Sequence, residues 1–419
     1  MKFRTLLLAF TATVFTALPA LGDWLQFRGP GGLGISSEKG LPTKWSAKEN
    51  VVWKTELPGA GTSSPIVVGN KIIVTCYSGY GTDKADNDVS LLKRHVVCLS
   101  RDGKILWTRD VPTELPETPY SSYQALHGYA SSTPASDGKH VYAFFGKSGV
   151  VAFDLEGKQL WKASVGGNKH GWGSGTSPVL YKDLVIINAS VESGALVALK
   201  KSDGKQAWSA KGNVSQSWNT PLLVDVPGGK TELVVSQQGK LRGFDPETGA
   251  ELWNCQGIND YVCPSCIAHE GVVYVIGARQ NTAIAVRAGG KGNVTSTHLL
   301  WTLKKGSNVT SPVYHEGHLY WSSESKSSVY CVKADKGTLV YEKSLTPNSD
   351  RIYASPLLAD GKIYYVSRTN GTYVVEASPN FKLFAHNTLG DASVFNASPA
   401  PDNGQLLMRS NRYLYCLGK

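Results

Sequence analysis

Short apolar runs separated by glycine-containing turns recur along the whole chain. A unit opens with Ser or Thr followed by Pro and continues with an apolar run, a Gly or Asp-Gly turn, and a second run such as "KIIVT" at 71–75 or "KIYYVS" at 362–367. A third run follows, and the unit ends with Leu-Trp in most copies. Runs of this length bounded by Gly and Asp are typical of β-strands. Each unit therefore predicts four short strands.

The units follow one another at a regular spacing. The prolines that open them are Pro65, Pro134, Pro178, Pro221, Pro264, Pro312, Pro356 and Pro399. The first spacing is 69 residues, and the others lie between 43 and 48. Four strands in a repeat of this length is the pattern of a propeller blade. We predict an all-β fold, an eight-bladed β-propeller of four-stranded antiparallel blades.

The two ends of the chain indicate how the ring closes. After Pro399 there is room for only three strands, whereas "VVWKTEL" at 51–57 precedes the first unit without a blade of its own. We predict that this strand pairs beside residues 413–417, because closure removes an open sheet edge. Residues 51–419 then form the propeller, and residues 23–50 an N-terminal arm.

The first 22 residues have the layout of a secretory signal peptide. Lys2 and Arg4 form a basic start, an apolar stretch runs over 6–18, and a small-x-small site ends at Gly22. The apolar stretch is shorter than the roughly 20 residues of a spanning helix. We expect cleavage after Gly22, no membrane insertion, no lipid anchor, and a periplasmic or secreted protein.

A phrase of the type "FDLEGKQLW" recurs at the corner between the third and fourth strands. Its Asp-Gly, Glu-Gly or Thr-Gly pair supplies the positive φ of a tight turn. We expect its tryptophans to pack one blade on the next: Trp53, Trp107, Trp161, Trp208, Trp253 and Trp301. Tyr341 and Ala385 stand at this position in the remaining units.

The phrases "AFDLEGKQLW" and "GFDPETGAELW", with the eight Ser/Thr-Pro strand starts, resemble pyrroloquinoline quinone (PQQ) type repeats. Quinoprotein alcohol dehydrogenases share this pattern, as does the propeller lipoprotein of the outer-membrane barrel assembly machine. The leading "DWLQFRGPGGLGIS" resembles exported bacterial propellers of the BamB-like and PQQ-binding-like kind. The resemblance covers residues 23–419. It implies the propeller fold and leaves the function open.

The enzymatic branch of this resemblance implies a disulfide of adjacent cysteines over PQQ and a Glu, Asn and Asp set on Ca²⁺. The chain has no adjacent cysteines, and no such carboxylate set aligns. No Ser-His-Asp order, HExxH motif or phosphate-binding loop occurs either. We therefore predict no catalytic residues, no metal site and no cofactor, with PQQ and calcium as the alternative.

The seven cysteines are read by their position in the repeat. Three of them take the third-strand position that alanine fills in other blades, and we expect small buried side chains there: Cys98, Cys331 and Cys416. Cys263 replaces the Ser or Thr before Pro264, and Cys266 follows. In an extended segment their Cα atoms lie about 10 Å apart, beyond the reach of a disulfide.

The loops after strands two and four emerge on one face of the ring. Two of them, both in the first unit, are long: "CYSGYGTDKADNDVSLLKRH" and "DVPTELPETPYSSYQALHGY". Long loops on a rigid scaffold are usually functional. Loops after strand two place polar or cationic residues on this face: Lys147, Gln238, Arg279, Lys326, Arg368 and Arg409. The stretches "NKHGWG" and "SQSWN" add His170, Trp172, Trp218 and Asn219.

These residues predict a basic, aromatic-lined channel mouth for an anionic or hydroxyl-rich ligand, and the alternative is that they are solvated turn residues. The formal net charge is +10, or +8 without Lys2 and Arg4. The lysines are scattered, without the aromatic-basic interleaving of a nucleic-acid groove. We predict a monomeric, non-catalytic binding or envelope-assembly scaffold, whose partner is an envelope protein, a small anionic or hydroxyl-rich molecule or a glycan. A periplasmic sugar or polysaccharide binder and a quinoprotein dehydrogenase remain as alternatives.

Overall fold

The structure, a computed structural model, describes residues 22–82, 88–212, 214–277 and 279–419. Within these ranges the strands form eight sheets, each with four antiparallel strands, and two sheets gain one short parallel strand. The prediction of an eight-bladed propeller is confirmed. The segment interpreted as a signal peptide lies outside the described residues, apart from Gly22.

Two strands precede the first blade, β1 (Ile35–Ser36) and β2 (Val51–Glu56). Blade 1 contains β3 (Ile66–Val68), β4 (Lys71–Ser78), β5 (Lys93–Ser100) and β6 (Ile105–Val111). Blade 2 contains β7 (Ala135–Ser136), β8 (His140–Phe144), β9 (Val150–Asp154) and β10 (Gln159–Ala163). Blade 3 contains β11 (Val179–Tyr181), β12 (Leu184–Ala189), β13 (Ala195–Lys200) and β14 (Gln206–Lys211). Blade 4 contains β15 (Leu222–Val226), β16 (Lys230–Gln237), β17 (Lys240–Phe244) and β18 (Glu251–Gln256).

Blade 5 contains β19 (Ile267–His269), β20 (Val272–Gly277), β21 (Thr282–Arg287) and, after β22 (Gly292–Asn293), β23 (Leu299–Leu303). Blade 6 contains β24 (Val313–His315), β25 (His318–Ser322), β26 (Ser328–Lys333) and β27 (Leu339–Ser344). Blade 7 contains β28 (Leu357–Ala359), β29 (Lys362–Val366), β30 (Thr372–Glu376) and β31 (Leu383–Asn387). Blade 8 contains β32 (Ala400–Asp402), β33 (Gln405–Arg409) and β34 (Tyr413–Leu417). The short helices are α1 (Gln124–His127) and α2 (Thr295–His298), with 3₁₀ turns at Pro30–Gly32, Val89–Leu91 and Gly146–Ser148.

Strand β2 completes blade 8 and closes the ring. It runs antiparallel to β34, with Val51 opposite Leu417 and Thr55 opposite Leu414. The N-terminal end of the propeller is thereby hydrogen-bonded to its C-terminal end. This confirms the predicted closure, which leaves β34 without an unpaired edge.

The hydrophobic core lies between the blades. Tyr142 and Phe144 of blade 2 pack against Val185 and Ile187 of blade 3, and all four side chains are fully buried. Inner strands are largely apolar on both faces because a neighbouring blade covers each face, as in β12, where every residue is buried and only Asn188 is polar. Outer strands such as β2 alternate, since one of their faces is exposed.

The repeated corner phrase has a defined geometry at the blade boundaries. The indole N–H of Trp107 in blade 1 donates to the carbonyl of Leu155 in blade 2 at 3.0 Å. Its ring lies on Gly157, where an added Cβ would come within 2.7 Å of the ring. The same arrangement joins Trp53 to Gly103, Trp161 to Gly204, Trp208 to Gly249 and Trp301 to Gly337. The glycine is needed for its positive φ and also for the room it leaves to the tryptophan of the preceding blade.

Trp253 is arranged differently. Its indole N–H donates to Glu232 Oε2 at 2.6 Å, and its ring packs on Gly243 of its own blade. Blade 5 lacks the Asp-Gly corner, and residues 288–298 with β22 and α2 take its place beside β18. Trp253 is fully buried by this insertion.

Two third-strand cysteines lie opposite corner tryptophans, and the third, Cys331, lies opposite Tyr341. Cys98 is paired with Trp107 and Cys416 with Trp53, just as Ala198 is paired with Trp208. Each of these ladders carries a β-bulge beside the pair. The prediction that these cysteines are small buried residues is confirmed, and all seven cysteines are free thiols.

Residues 23–41 lie across the face of the ring opposite the long loops. Trp24 forms a bridge with Val67 of blade 1, and β1 adds a parallel strand to β28 of blade 7. The guanidinium of Arg28 is buried and donates to the carbonyl of Pro312 in blade 6. Burial lowers the pKa of Arg28 to about 9. Of the described residues, no helix has both the length and the apolar character to cross a membrane.

Candidate functional site

The starts of the innermost strands form a closed ring of hydrogen bonds around the propeller axis. In each blade the backbone N–H of a Ser or Thr donates to the side-chain hydroxyl of the corresponding residue in the next blade, at 2.9–3.0 Å. The eight residues are Ser64, Thr133, Ser177, Thr220, Ser265, Ser311, Ser355 and Ser398. We call this set the hydroxyl ring.

The hydroxyl ring surrounds a cavity of about 200 Å³ on the propeller axis. All eight ring residues line it, and Phe27 of the N-terminal segment reaches it from the opposite face. Among the described residues, no Asp, Glu, Lys or Arg side chain lines it. The cavity is therefore a neutral, polar-ringed space whose charge environment is set by groups outside it.

Aromatic side chains line the cavity on the side of the long loops. Trp172 contacts Trp218 at 5.0 Å, Tyr261 at 4.7 Å and Tyr123 at 5.1 Å between ring centres. The contacts with Tyr261 and Tyr123 are edge-to-face, a preferred arrangement of aromatic rings. The indole N–H of Trp218 donates to the Gly173 carbonyl at 2.9 Å, which locks its ring. The faces of these rings are thus held in place around the space.

The second long loop of blade 1 covers part of the cavity mouth. Its helix α1 brings Tyr123, Leu126 and His127 to the lining. The carbonyl of Leu126 accepts from the Asn396 amide at 2.6 Å, and the carbonyl of His127 accepts from the Thr62 hydroxyl at 3.0 Å. The loop is thereby attached to blade 8 and to the start of blade 1.

His127 joins this loop to the segment that carries Trp172. Its Nε2 lies 2.6 Å from the Trp172 carbonyl, and its Nδ1 contacts the Ser131 hydroxyl. A carbonyl oxygen only accepts, so Nε2 carries the proton and Nδ1 accepts from Ser131 in the neutral ring. Burial lowers the pKa of His127. The neutral imidazole therefore serves as a fixed connector.

Arginines stand at the rim above the aromatic side chains. The Arg279 guanidinium lies over Tyr261 at 5.2 Å from the ring centre, and that of Arg368 lies over Tyr353 at 4.6 Å. Arg351 donates to the Tyr353 hydroxyl at 3.3 Å. No ion pair joins these arginines to a carboxylate in the described part of the chain. Each of them adds a positive charge to this side of the cavity.

The sequence predicts ten residues at the mouth, and in the structure only some of them lie at the cavity. Trp172 and Trp218 line the cavity, and Arg279 and Arg368 stand at its rim. His170 lies behind the two tryptophans, with its ring centre 5.2 Å from Trp172 and 5.0 Å from Trp218. Solvation is partly lost there, which lowers its pKa.

Three of the predicted residues lie on the same face without reaching the cavity. Lys147 donates to the Pro116 carbonyl at 3.1 Å, and Gln238 and Lys326 are exposed in their turns. Asn219 is buried, and its amide donates to the Ser217 hydroxyl at 3.0 Å. Asn219 therefore supports its own turn.

Arg409 is a correction to the predicted mouth. Register alone placed it beside Arg279 and Arg368, but its guanidinium is buried between blades 8 and 1. It donates to the carbonyl of Ser63 at 2.8 Å and to that of Thr75 at 2.7 Å. Gly61 leaves the room for it, because a Cβ there would come within 2.5 Å of the guanidinium. Arg409 joins the two blades at which the ring closes.

The assignment of Cys263 to the Ser/Thr position of blade 5 is also corrected. Ser265, which follows Pro264, occupies the hydroxyl ring, and Cys266 stands where other blades have proline. Cys263 lines the cavity instead. Burial raises the pKa of its thiol to about 12, so the thiol stays protonated.

The sequence interpretation missed several cavity residues. Tyr123 and His127 lie within a loop singled out for its length, but nothing in its sequence shows that it folds back over the axis. The recurrence of Ser or Thr before Pro was the signal for the hydroxyl ring, since proline alone explains only the strand start. Tyr261, Tyr353 and Arg351 lie in ordinary connecting loops, where no repeat marks them.

The chain is similar in sequence to one known protein and in fold to several known structures. The outer membrane protein assembly factor BamB of Burkholderia pseudomallei (strain K96243) is 22% identical, over 77% of this chain and 86% of that protein. The crystal structure of BamB from Moraxella catarrhalis superposes with a TM-score of 0.60 at 12% identity, over 88% of this chain and 98% of that one. The quinohemoprotein alcohol dehydrogenase of Comamonas testosteroni superposes with a TM-score of 0.66 at 11% identity, over 96% and 81%. These two structural likenesses show the fold alone.

The cavity residues do not fit calcium-bound PQQ, the cofactor that the dehydrogenase branch implies. Calcium takes six to eight oxygen ligands, usually with carboxylates among them. Among the residues that the structure describes, none with a carboxylate lines the cavity, and no group of three or more His, Cys, Asp or Glu residues is suited to a metal.

One family model, described as outer membrane protein assembly factor BamB, matches residues 31–171 and 92–343. Together these matches cover well over half of the sequence. They include the first long loops, four of the six aromatic residues that line the cavity and most of the hydroxyl ring. The chain belongs to the BamB family.

Proposed function

We propose that this protein is an exported, non-catalytic scaffold of envelope assembly that holds an envelope protein on the face bearing the long loops of blade 1. The observation that carries the proposal is membership of the BamB family, whose description is that of an outer membrane protein assembly factor. Export to the periplasm or beyond belongs to the same proposal and follows from the predicted signal peptide.

The two long loops of blade 1 carry the apolar contacts that such a partner needs. Leu91, Leu115, Tyr120 and Tyr123 are each 37–47% exposed. The other large apolar side chains exposed to this degree in the described residues lie on outer strands, at Val52, Ile105, Leu106, Leu160 and Leu300. Exposed aromatic and aliphatic side chains on a rigid support are favourable anchors for a protein partner.

The second long loop of blade 1 is held in place by buried contacts. Arg94 and Glu117 form an ion pair with both side chains buried, and the Tyr129 hydroxyl donates to the Thr118 carbonyl at 2.8 Å. Tyr120 packs against Tyr129, with ring centres 6.1 Å apart. A preorganised surface loses little conformational entropy on binding, so more of the contact energy contributes to affinity.

A pair of matched variants tests this function. The loop variant carries Leu91→Ser, Leu115→Ser and Tyr120→Ser, and the control carries Leu106→Ser, Leu160→Ser and Leu300→Ser on outer strands. A photo-crosslinking residue at position 115 in the source bacterium identifies the partner, and the purified partner is then titrated with each variant. We expect an envelope protein whose affinity falls at least tenfold for the loop variant and is unchanged for the control. Crosslinks that contain no envelope protein, or equal losses in both variants, would contradict the proposal.

The dehydrogenase alternative is tested on the same preparation. The purified protein is incubated with PQQ and Ca²⁺ and then supplied with alcohols or aldoses and a redox dye. We expect no dye reduction above that of the boiled protein. Turnover would contradict the non-catalytic part of the proposal and leave the docking experiment unaffected.

A further inference from the structure

The hydroxyl ring has unused hydrogen-bonding capacity. Each of its eight hydroxyl oxygens accepts one backbone N–H, and none of the eight donates to an acceptor within the described residues. Each hydroxyl therefore keeps one donor and one lone pair. Seven of the eight residues are buried, and Thr220 is partly exposed. Buried donors are satisfied in nearly all proteins, by water or by a ligand where no protein acceptor is at hand.

A second buried group at the cavity lacks a partner. Asn396 donates its amide N–H to the Leu126 carbonyl at 2.6 Å, which fixes the orientation of the amide. Its Oδ1 atom is buried and has no hydrogen-bond partner. Because this oxygen only accepts, its complement is a hydroxyl or amine donor on the bound molecule. The site thus offers an acceptor as well as donors.

The cavity is large enough for more than scattered waters. One water needs roughly 10–15 Å³ of such space, and the cavity provides about 200 Å³. Trp172, Trp218 and Tyr261 present their rings to it. Aromatic rings pack well against the C–H faces of a ring-shaped molecule whose edge carries polar groups. A small, flat-sided, polyhydroxylated ring matches this combination.

The arginines at the mouth favour a ligand with a negative charge. Arg279 and Arg368 have no carboxylate partner in the described part of the chain. None of the described residues that line the cavity is acidic, although the Glu324 carboxylate accepts from the backbone N–H of the lining residue Asn308 at 3.0 Å. Guanidinium groups bind carboxylates well because two parallel N–H donors match two oxygens. A neutral sugar leaves these donors unused, whereas a carboxylate on the sugar ring meets them.

From the hydroxyl ring, the unpartnered Asn396 oxygen and the rim arginines, we propose that the axial cavity binds a sugar acid, a six-membered ring carrying hydroxyls and one carboxylate. The hydroxyl ring and Asn396 bind the hydroxyl groups of the ligand, and the rim arginines attract its carboxylate. This site shares Tyr123 with the protein-docking surface. The docking variants and the ligand variants both leave Tyr123 unchanged and alter different residues, so either proposal can fail alone.

Isothermal titration with four probes tests the ligand class. The probes are glucuronate, glucose, benzoate and benzyl alcohol, which separate the carboxylate from the hydroxyl groups. We expect glucuronate to bind at least tenfold more tightly than glucose and than benzoate, and benzyl alcohol to bind least. Absence of glucuronate binding at millimolar concentration, or equal binding of glucuronate and glucose, would overturn the proposal. Benzoate binding as tightly as glucuronate would also overturn it, because the hydroxyls would then contribute nothing.

Variants of the ring threonines locate the site. Thr133→Val removes one hydroxyl at nearly constant volume, and Thr133→Ser retains it. Loss of a hydrogen bond to a polar or charged ligand lowers affinity about tenfold. We therefore expect weaker glucuronate binding in the Val variant and near-normal binding in the Ser variant, with circular dichroism showing whether each is folded. Equal affinity of the Val, Ser and unaltered proteins would overturn the role of the hydroxyl ring.

Substitutions at the rim provide a second test, which does not require the replacement of a buried side chain. The variant Arg279→Ala with Arg368→Ala removes exposed or partly exposed charges, and Lys326→Ala is its control in the equivalent loop of blade 6. We expect the arginine variant to lose affinity for glucuronate and to lose most of the salt dependence of binding, and the lysine control to retain both. The same affinity and salt dependence in all three proteins would overturn the anionic character of the site.

Discussion

At the scale of single residues, Glu192 is a carboxylic acid held away from water. It follows β12, is 2% exposed, and its carboxylate accepts from the Ser174 hydroxyl. Burial raises its pKa from 4.5 to about 7, and the charge of Glu117 acts in the same direction. The folded protein therefore binds this proton more tightly than the unfolded chain does.

This shift predicts a pH dependence of stability. With the higher pKa in the folded state, the free energy of unfolding is unaffected by Glu192 below pH 4.5 and falls as the pH rises toward 7. The shift corresponds to roughly 3 kcal/mol at higher pH. Glu192→Gln keeps the shape and removes the titration, so we expect it to be more stable than the unaltered protein at pH 8. Urea unfolding at pH 4.5, 6 and 8 measures the difference, and parallel pH profiles of the two proteins would contradict it.

Arg409 shows that the position of an arginine within its repeat does not determine whether its side chain is exposed. Arg279, Arg368 and Arg409 occupy similar positions in their blades, yet only the first two reach the rim. Gly61 in the neighbouring blade has no side chain, and the guanidinium of Arg409 occupies the space that this leaves. That glycine lies almost 350 residues away in the sequence, so the repeat alone could not distinguish the three arginines.

At the scale of elements, the unit of blade packing is a tryptophan on the fourth strand and the glycine turn of the next blade. Trp208 shows the pattern, with its ring on Gly249 and its indole N–H 3.2 Å from the Pro246 carbonyl. The repeated phrase carries both halves, because each blade presents a turn to the preceding blade and a tryptophan to the following one. This explains why the glycine and the tryptophan recur together.

Truncation of this tryptophan should therefore weaken the boundary between blades 3 and 4. We expect Trp208→Ala to lower the free energy of unfolding by about 3–5 kcal/mol, since a large buried side chain is replaced by a cavity. Leu160→Ala on the outer strand of blade 2, where the side chain is 42% exposed, is the control and should change it by less than about 0.5 kcal/mol. Denaturant titration followed by circular dichroism compares them. A loss below about 1 kcal/mol for Trp208→Ala would mean that the ring contributes little to blade packing.

At the scale of the whole molecule, the ring is held closed by three independent sets of contacts. The pairing of β2 with β34 joins the two ends within blade 8, Arg409 joins blade 8 to blade 1, and the hydroxyl ring runs through all eight blades. Residues 23–41 add contacts on the face opposite the long loops. Opening the ring at any one point leaves unsatisfied groups at the others.

Removal of β2 should expose a strand edge. We expect a protein lacking residues 23–57 to self-associate, because β34 then presents unpaired backbone groups. A protein lacking only residues 23–49 retains β2 and is the control, which should lose stability but remain monomeric. Size-exclusion chromatography with light scattering distinguishes the two. A monomeric protein without residues 23–57, with an unchanged melting temperature, would contradict the contribution of β2 to closure.

The sequence by itself determined the fold, because each blade repeats one local pattern and a local pattern can be counted. The strand starts, the turn glycines, the closing strand at 51–57 and the small residues opposite the tryptophans all follow from spacing. It also identified Trp172, Trp218, Arg279 and Arg368 as residues of one face. Each of these inferences depends on the position of a residue within its own repeat.

Only the tertiary structure decided what lies on the axis, since the axis is formed by eight blades that are distant in the chain. A hydroxyl from one residue of each blade becomes a ring only when the ring closes, and the blade 1 loop reaches the cavity only by crossing to the Asn396 amide of blade 8. The register of Ser265 also shifted by two residues relative to Pro264, because hydrogen bonding to both neighbours fixes the hydroxyl position more strongly than proline fixes the strand start. The contacts on the axis depend on how the eight blades assemble around it, and the repeat in the sequence does not specify them.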